Sequence, residues 1–162
     1  MDNFSFRMAK PGDSRIILSF IHKIAIYEKM DDEVKATIES LDEWVFKKKL
    51  VEVIFLMKDN KEIGFALYFY NFSTFNGKPG IHLEDFYIDK EYRGLGLGKK
   101  LFLKVVERAK EVKAGRMEWT CLNWNKPSIA FYTKVMKASP MSEWTTYRLR
   151  EDQFEGLIET NK

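Results

Sequence analysis

Apolar and polar residues alternate through Phe4-Ser5-Phe6-Arg7-Met8, the pattern of a half-buried strand. Pro11-Gly12-Asp13 breaks the alternation and offers Asp13 or Ser14 as a helix cap. Ile16, Ile17, Phe20, Ile21, Ile24 and Tyr27 then recur at helical spacing and predict a helix ending near Glu28. A thinner stripe, Val34, Ile38, Leu41, Val45 and Phe46, predicts a second, more peripheral helix within Asp31–Lys49. Apolar and aromatic runs at Val51–Met57, Ile63–Phe72 and Ile81–Ile88 predict three strands, with polar turns at Lys58–Lys61 and Phe75–Gly80. Beyond a glycine-rich corner at Arg93–Gly98, Leu101, Phe102, Val105, Ala109 and Val112 mark another helix. Arg116–Leu122 reads as a strand, Pro127–Met136 as a short helix, and Trp144–Leu149 as a last strand before a polar tail.

Tight turns join the middle strands, whereas a helix joins the strand at Ile81–Ile88 to that at Arg116–Leu122. This order predicts an α/β (α+β) chain with a mixed, mostly antiparallel sheet flanked by helices. One domain spanning residues 1–162 is expected, with a core over about 4–150 and a polar C-terminal tail.

Composition narrows the classes further. The 162 residues are 45% hydrophobic and 15% aromatic, which supplies a core and excludes a disordered tail protein. Twenty-seven Lys and Arg against 24 Asp and Glu leave a net charge of only +3, too balanced for the basic face of a nucleic-acid binder. Cys121 is the single cysteine, so an internal disulfide and cysteine-rich zinc sites are excluded, and no metal is expected. No apolar run approaches the ~20 residues of a membrane span. Met1-Asp2-Asn3-Phe4 lacks the basic and then apolar regions of a signal peptide. A cytoplasmic protein without membrane or nucleic-acid partners is the expectation.

Arg93-Gly94-Leu95-Gly96-Leu97-Gly98-Lys99 follows a strand and leads directly into an amphipathic helix. Glycines let the backbone turn sharply and let a ligand approach its N–H groups. The helix start adds unpaired donors and a positive dipole end, so an anion such as a pyrophosphate suits the corner. A glycine cluster that only caps a turn would look the same. A Walker loop needs a hydroxyl residue after Gly-Lys, and Lys99 is followed by Lys100. A dinucleotide fingerprint needs a parallel strand–helix–strand start, which the three preceding strands contradict.

The pattern that remains is Arg-x-x-Gly-x-Gly, carried by Arg93, Gly96 and Gly98, and it resembles the coenzyme A corner of the GNAT acetyltransferases. Trp124-Asn125-Lys126-Pro127-Ser128-Ile129-Ala130-Phe131-Tyr132 is similar to the Trp-Asn-x-Pro-Ser-x-x-Phe-Tyr segment of the diamine (spermidine/spermine) and thialysine branch. Leu83-Glu84-Asp85-Phe86-Tyr87-Ile88 and Tyr27-Glu28-Lys29-Met30 resemble two further segments of that branch. The element order from residue 4 to about 150 also agrees with a GNAT-like fold.

The resemblance implies acetyl transfer from acetyl-CoA to a primary amine of a small cationic substrate: a diamine, a polyamine or a lysine-like amino acid. It implies direct attack in a ternary complex. Backbone groups of Phe86, Tyr87 and Ile88 and of Gly94, Leu95, Gly96, Leu97, Gly98 and Lys99 would grip the coenzyme together with Arg93. Asn125 and Ser128 match coenzyme contacts, and helix capping beside Pro127 explains them equally well. Glu84 matches a water-assisted base, needed because an alkyl ammonium, with a pKa near ~10.4, is protonated at neutral pH. Its alternative is an exposed ion-pairing strand edge, and alternation would put Glu84 and Asp85 on opposite faces. Tyr132 corresponds to the acid that protonates the leaving sulfur, while Phe131 reads as core. Tyr27, Glu28, Glu84, Glu143 and Trp144 match positions around the amine, where carboxylates and aromatic faces attract a dication. A homodimer is implied, and no residue locates its interface.

Two departures stand out. Ser73-Thr74-Phe75-Asn76-Gly77-Lys78 replaces an Asp-Pro-Trp that precedes Gly-Lys in the polyamine enzymes, which removes one acid and favours a shorter amine. Lys137 stands where the family has glycine, so a left-handed turn there carries strain. His22 and His82 make no metal site and carry little weight. Lys99 and Lys100 suit a coenzyme phosphate, whereas Lys104, Arg108 and Lys110 read as a solvated face. Cys121 reads as a small core residue. Two other functions fit parts of the pattern: a protein or peptide amine acetyltransferase, and an acyl-CoA-binding module without turnover.

Overall fold

The computed structural model describes residues 3–160, so Met1 and Asp2, read above for a leader, lie outside the described residues. The chain divides into two compact units, a larger one ending at Leu122 and a smaller one beginning at Asn123.

The larger unit is built on five strands in the order β1-β2-β3-β4-β5: Phe4–Met8, Glu52–Lys58, Lys61–Ser73, Lys78–Ile88 and Arg116–Glu118. The first three pairings are antiparallel and β4 with β5 is parallel; tight turns join β2 to β3 and β3 to β4, and a helix makes the crossover from β4 to β5. Helix α1, Ser14–Glu28, covers one face of the sheet, and its Ile17 and Phe20 pack with Val53, Phe55, Met57, Phe65 and Leu67. Residues of one parity along β3 therefore face α1. Tyr68 has the other parity, and its hydroxyl donates to Glu52, which accepts from Arg108 of α3, Leu97–Glu111. Those residues face α3, whose buried Leu97, Leu101, Phe102 and Val105 supply the second layer. Arg108 is thus tied to Glu52 and Tyr70 and is not simply a solvated residue.

The expected peripheral helix within Asp31–Lys49 is broken into pieces. A 3-10 turn at Asp31–Glu33 precedes a four-residue α2, Ile38–Leu41, and a π-helical turn at Asp42–Lys47. Thr37 explains the break: its side chain accepts from the Ser40 N–H, and Ser40 reaches back to the Thr37 N–H, so the helix can only start there.

β5 is shorter than expected. It pairs with β4 over Gly80–His82 and ends at Glu118, whereas β4 runs on to Ile88. The cause lies in β4, where Leu83 sits opposite Tyr68 but Asp85 sits opposite Leu67. Glu84 is the extra residue of a β-bulge, which bends and twists the strand just past its last pairing with β5.

In the smaller unit, α4, Lys126–Ala130, continues into a π-helical turn at Phe131–Val135. The strand expected at Trp144–Leu149 does not form; those residues are exposed and without regular structure. Aromatic and β-branched residues give a segment strand character, but a strand exists only with a pairing neighbour. The tail carries instead a 3-10 turn at Glu151–Gln153 and a short α5, Phe154–Glu159. Among the described residues, no helix is long and apolar enough to cross a membrane.

Candidate active site

The site of the larger unit starts from the bulge. Asp85 lies opposite Leu67, on the α1 face, and Tyr87 of the same parity packs near Phe20 of α1 with ring centres 6.3 Å apart. His82 lies opposite Phe69, also of the α1 parity, and Glu84 Oε2 is 3.5 Å from His82 Nε2. The inserted residue therefore brings Glu84 and Asp85 to the same side of the sheet. This corrects the expectation of opposite faces, which assumed unbroken alternation.

Glu28, the last residue of α1, completes the acidic group. Burial raises its pKa above the ordinary value of a glutamate. Asp85 is pushed up to about 7, first by burial and then by the negative charges of Glu84 and Glu28. The Cys121 thiol is also raised, first by burial and then by the charge of Glu28. Unbroken alternation would have let only one of Glu84 and Asp85 face this side. The sequence signal for Asp85 is a second acid next to Glu84 within a strand.

The coenzyme corner begins where β4 ends. The Asp89 N–H donates to the Ile63 carbonyl, which extends the β3–β4 ladder. By antiparallel alternation Tyr87 and Asp85 also turn their backbone groups to β3, while Phe86 and Ile88 turn theirs to the opposite edge. Beyond His82 that edge has no pairing with β5. Gly94 and Gly96 have φ of +78° and +74°, the left-handed region that glycine enters without strain. Gly96 is the N-cap of α3 and offers no side-chain cap, so the first amides of the helix face outward around Leu97, Gly98 and Lys99. A pyrophosphate fits this donor set, and acetyl-CoA brings one together with an arm that can lie along the β4 edge.

The Arg93 side chain also has partners within the protein. Its guanidinium sits between the rings of Tyr27 and Tyr87, at 5.2 and 5.0 Å from their centres, and its Nε donates to the Ile88 carbonyl at 2.8 Å. It braces the corner against the end of α1.

Two helix ends run against the usual charge rule. α1 ends on Glu28 with no base in its last turn, and α3 begins with Lys99 and Lys100 and no acid in its first turn. A helix is stabilised by the reverse arrangement, typically by 0.3–1 kcal/mol per charge. An acid at a negative end suits a cationic ligand, and bases at a positive end suit an anionic one.

In the smaller unit Asn125 is buried and its side chain accepts from the Ser128 N–H at 3.3 Å, so it caps α4. Tyr132 lies in the π-helical turn, with its ring against Phe131 at 5.4 Å. Such turns are frequent at functional sites. Glu143 and Trp144 are exposed, with Trp144 at 74%. Lys137 adopts φ +58°, the left-handed turn expected where glycine is missing.

Comparison with known proteins bears on the family and the fold. Residues 19–137 match the acetyltransferase (GNAT) family. The chain is 35% identical over 163 residues to thialysine N-epsilon-acetyltransferase of Bos taurus, covering 93% of this chain and 95% of the relative. It is 32% identical over 151 residues to the Caenorhabditis elegans protein of that name, covering 92% and 93%. An integron cassette protein from the mobile metagenome of V. cholerae has the same fold, with a TM-score of 0.79 at 22% identity over 96% of this chain and 98% of that one. The chain belongs to the GNAT acetyltransferase family and is an acetyl-CoA-dependent N-acetyltransferase.

Proposed function

We propose that the enzyme transfers the acetyl group to a primary amine of a small dicationic substrate, a short diamine or a lysine-like amino acid, by direct attack in a ternary complex. The observation that carries this reading is the gathering of Glu28, Glu84 and Asp85 on one side of the sheet. A buried carboxyl whose proton affinity is raised by two neighbouring carboxylates, as Asp85 is by Glu84 and Glu28, is better accommodated with a cation beside it. The names of the relatives, which act on thialysine, support the same class. Phe75 is fully exposed and Ser73 accepts from the Asn76 N–H, so neither adds a carboxylate where the polyamine enzymes have one.

In this reading the amine binds as an ammonium and loses a proton through water to Glu84. The free amine then attacks the thioester carbonyl, which acetyl-CoA supplies along with its thiolate leaving group. Tyr132 donates the proton that the departing sulfur needs. Phe86 and Ile88 amides and the corner at Gly94–Lys99 orient the coenzyme; Asn125 and Ser128 shape the segment leading to Tyr132. The enzyme works as a cytoplasmic homodimer.

Thiol release from acetyl-CoA across diamines, polyamines, lysine analogues and lysine peptides tests the reading. Short diamines or lysine analogues should give the highest kcat/KM, and Tyr132→Phe should lower kcat at least tenfold with little change in coenzyme KM. A preference for peptides would replace this reading with a protein acetyltransferase.

A further inference from the structure

Glu84 has a neighbour that the reaction above does not use. His82 lies two residues earlier on β4, its ring stacked on Phe69 at 4.9 Å and 24°, and its Nε2 is 3.5 Å from Glu84 Oε2. The bulge makes this approach possible, because it lets Glu84 share the face of His82. The two groups differ in exposure: the His82 side chain is 23% exposed and that of Glu84 56%. The imidazole is thus held by its stack, while the carboxylate has room to close on it.

We propose that His82 is a positioning residue for Glu84 and the outlet for the proton that Glu84 removes. The inference rests on Glu84 being the base. A base must lose its proton before each new turnover. Asp85 and Glu28 lie toward α1 beside Glu84, where the ammonium is drawn in, and Asp85, pushed up to about 7 first by burial and then by these charges, would hold the proton there and cancel a charge that draws the substrate. On the side of His82 the surroundings are different. Phe69 on β3 carries no charge, and the register partner on β5 is Glu118, which is paired with Arg116 at 3.2 Å. Imidazole is the side chain suited to take and release a proton at neutral pH.

The step balances without a further reactant. An N–H bond of the substrate ammonium breaks and its electron pair stays on nitrogen. The proton passes through water to a Glu84 carboxylate oxygen and then to His82 Nε2. The imidazolium gives a proton to bulk water and returns neutral, so the carboxylate is ready again.

The test is His82→Gln and His82→Phe, assayed by thiol release from pH 5.5 to 9 in dilute and in concentrated imidazole buffer. The expected result is a kcat at least fivefold lower in dilute buffer with coenzyme KM within twofold of wild type, an altered pH profile, and recovery of kcat as imidazole rises. His82→Phe keeps an aromatic stack on Phe69, so a melting temperature near wild type with the same kcat loss separates proton transfer from packing. Wild-type kcat and pH profile in both variants, or a loss that imidazole does not restore, overturns the proposal. Glu84→Gln separates the two layers. If it is inactive while His82→Gln behaves as wild type, only the outlet fails; if it is fully active, the base and the outlet fail together.

Discussion

The guanidinium of Arg93 lies over the ring of Tyr27, 5.2 Å from its centre, and so ties the end of α1 to the start of the glycine corner. Tyr27 stands beside Glu28, and Arg93 stands beside Gly94. One cation thus connects the end of α1, proposed to face the amine, with the corner proposed to hold the coenzyme, through two aromatic faces and the Ile88 carbonyl. Cation–π contacts contribute about 0.5–2 kcal/mol each, depending on desolvation.

Arg93→Ala should therefore raise KM for both the amine and acetyl-CoA, where loss of a simple phosphate contact would raise the coenzyme KM alone. Arg93→Lys should recover only part, because an ammonium lacks the planar face and the fork. Steady-state kinetics with each substrate varied in turn checks this.

Asp85 makes a prediction about pH. A carboxyl whose folded pKa is raised from 3.8 to about 7 binds its proton more tightly in the folded state than in the unfolded one. The folded state gains from that proton at low pH, and stability falls as pH rises from about 4 to about 7. Asp85→Asn removes the charge and should raise the melting temperature by several degrees at pH 8 while changing it little at pH 4. Thermal melts of both proteins at the two pH values decide the matter.

The left-handed turn at Lys137, with φ +58°, closes the π-helical turn that carries Tyr132, and the Ala138 N–H donates to the Tyr132 carbonyl across it. A non-glycine residue in this region costs roughly 1–2 kcal/mol. Lys137→Gly should stabilise the protein by about 1 kcal/mol, read from chemical denaturation, with kcat unchanged. Gly96→Ala is the opposite case, since its φ of +74° leaves a side chain strained even though the space around it is open. It should lower stability by about 1 kcal/mol and weaken coenzyme binding.

Much of this was legible in the sequence, and the parts that were not share a physical reason. α1 ends at Glu28 as its stripe predicts, because Ile16 to Tyr27 keep one period and Lys29 leaves it with a left-handed φ of +61°. The glycine corner was legible because positive φ has a residue signature. A bulge has none: Glu84 adds one residue to β4 without changing its composition, so the side chains after it switch face unannounced. The shared face of Glu84 and Asp85, the reach of His82 and the early end of β5 all follow from that one insertion. The π-helical turns at Asp42–Lys47 and Phe131–Val135 were hidden in the same way, as one residue added to a helical pattern. Trp144–Leu149 shows the converse, a run of β-forming residues with no neighbour to pair against in its own unit.

The most direct test of the carboxylate pocket compares a short diamine with the monoamine of equal chain length, in wild type and in Asp85→Asn, at pH 8. Each value is kcat/KM from thiol release. If Glu28, Glu84 and Asp85 recognise a second positive charge, wild type should favour the diamine by at least tenfold, and Asp85→Asn should cut that ratio severalfold while leaving the monoamine value nearly as it was. Equal rates for the two amines in wild type, or a ratio untouched by the substitution, would contradict the account.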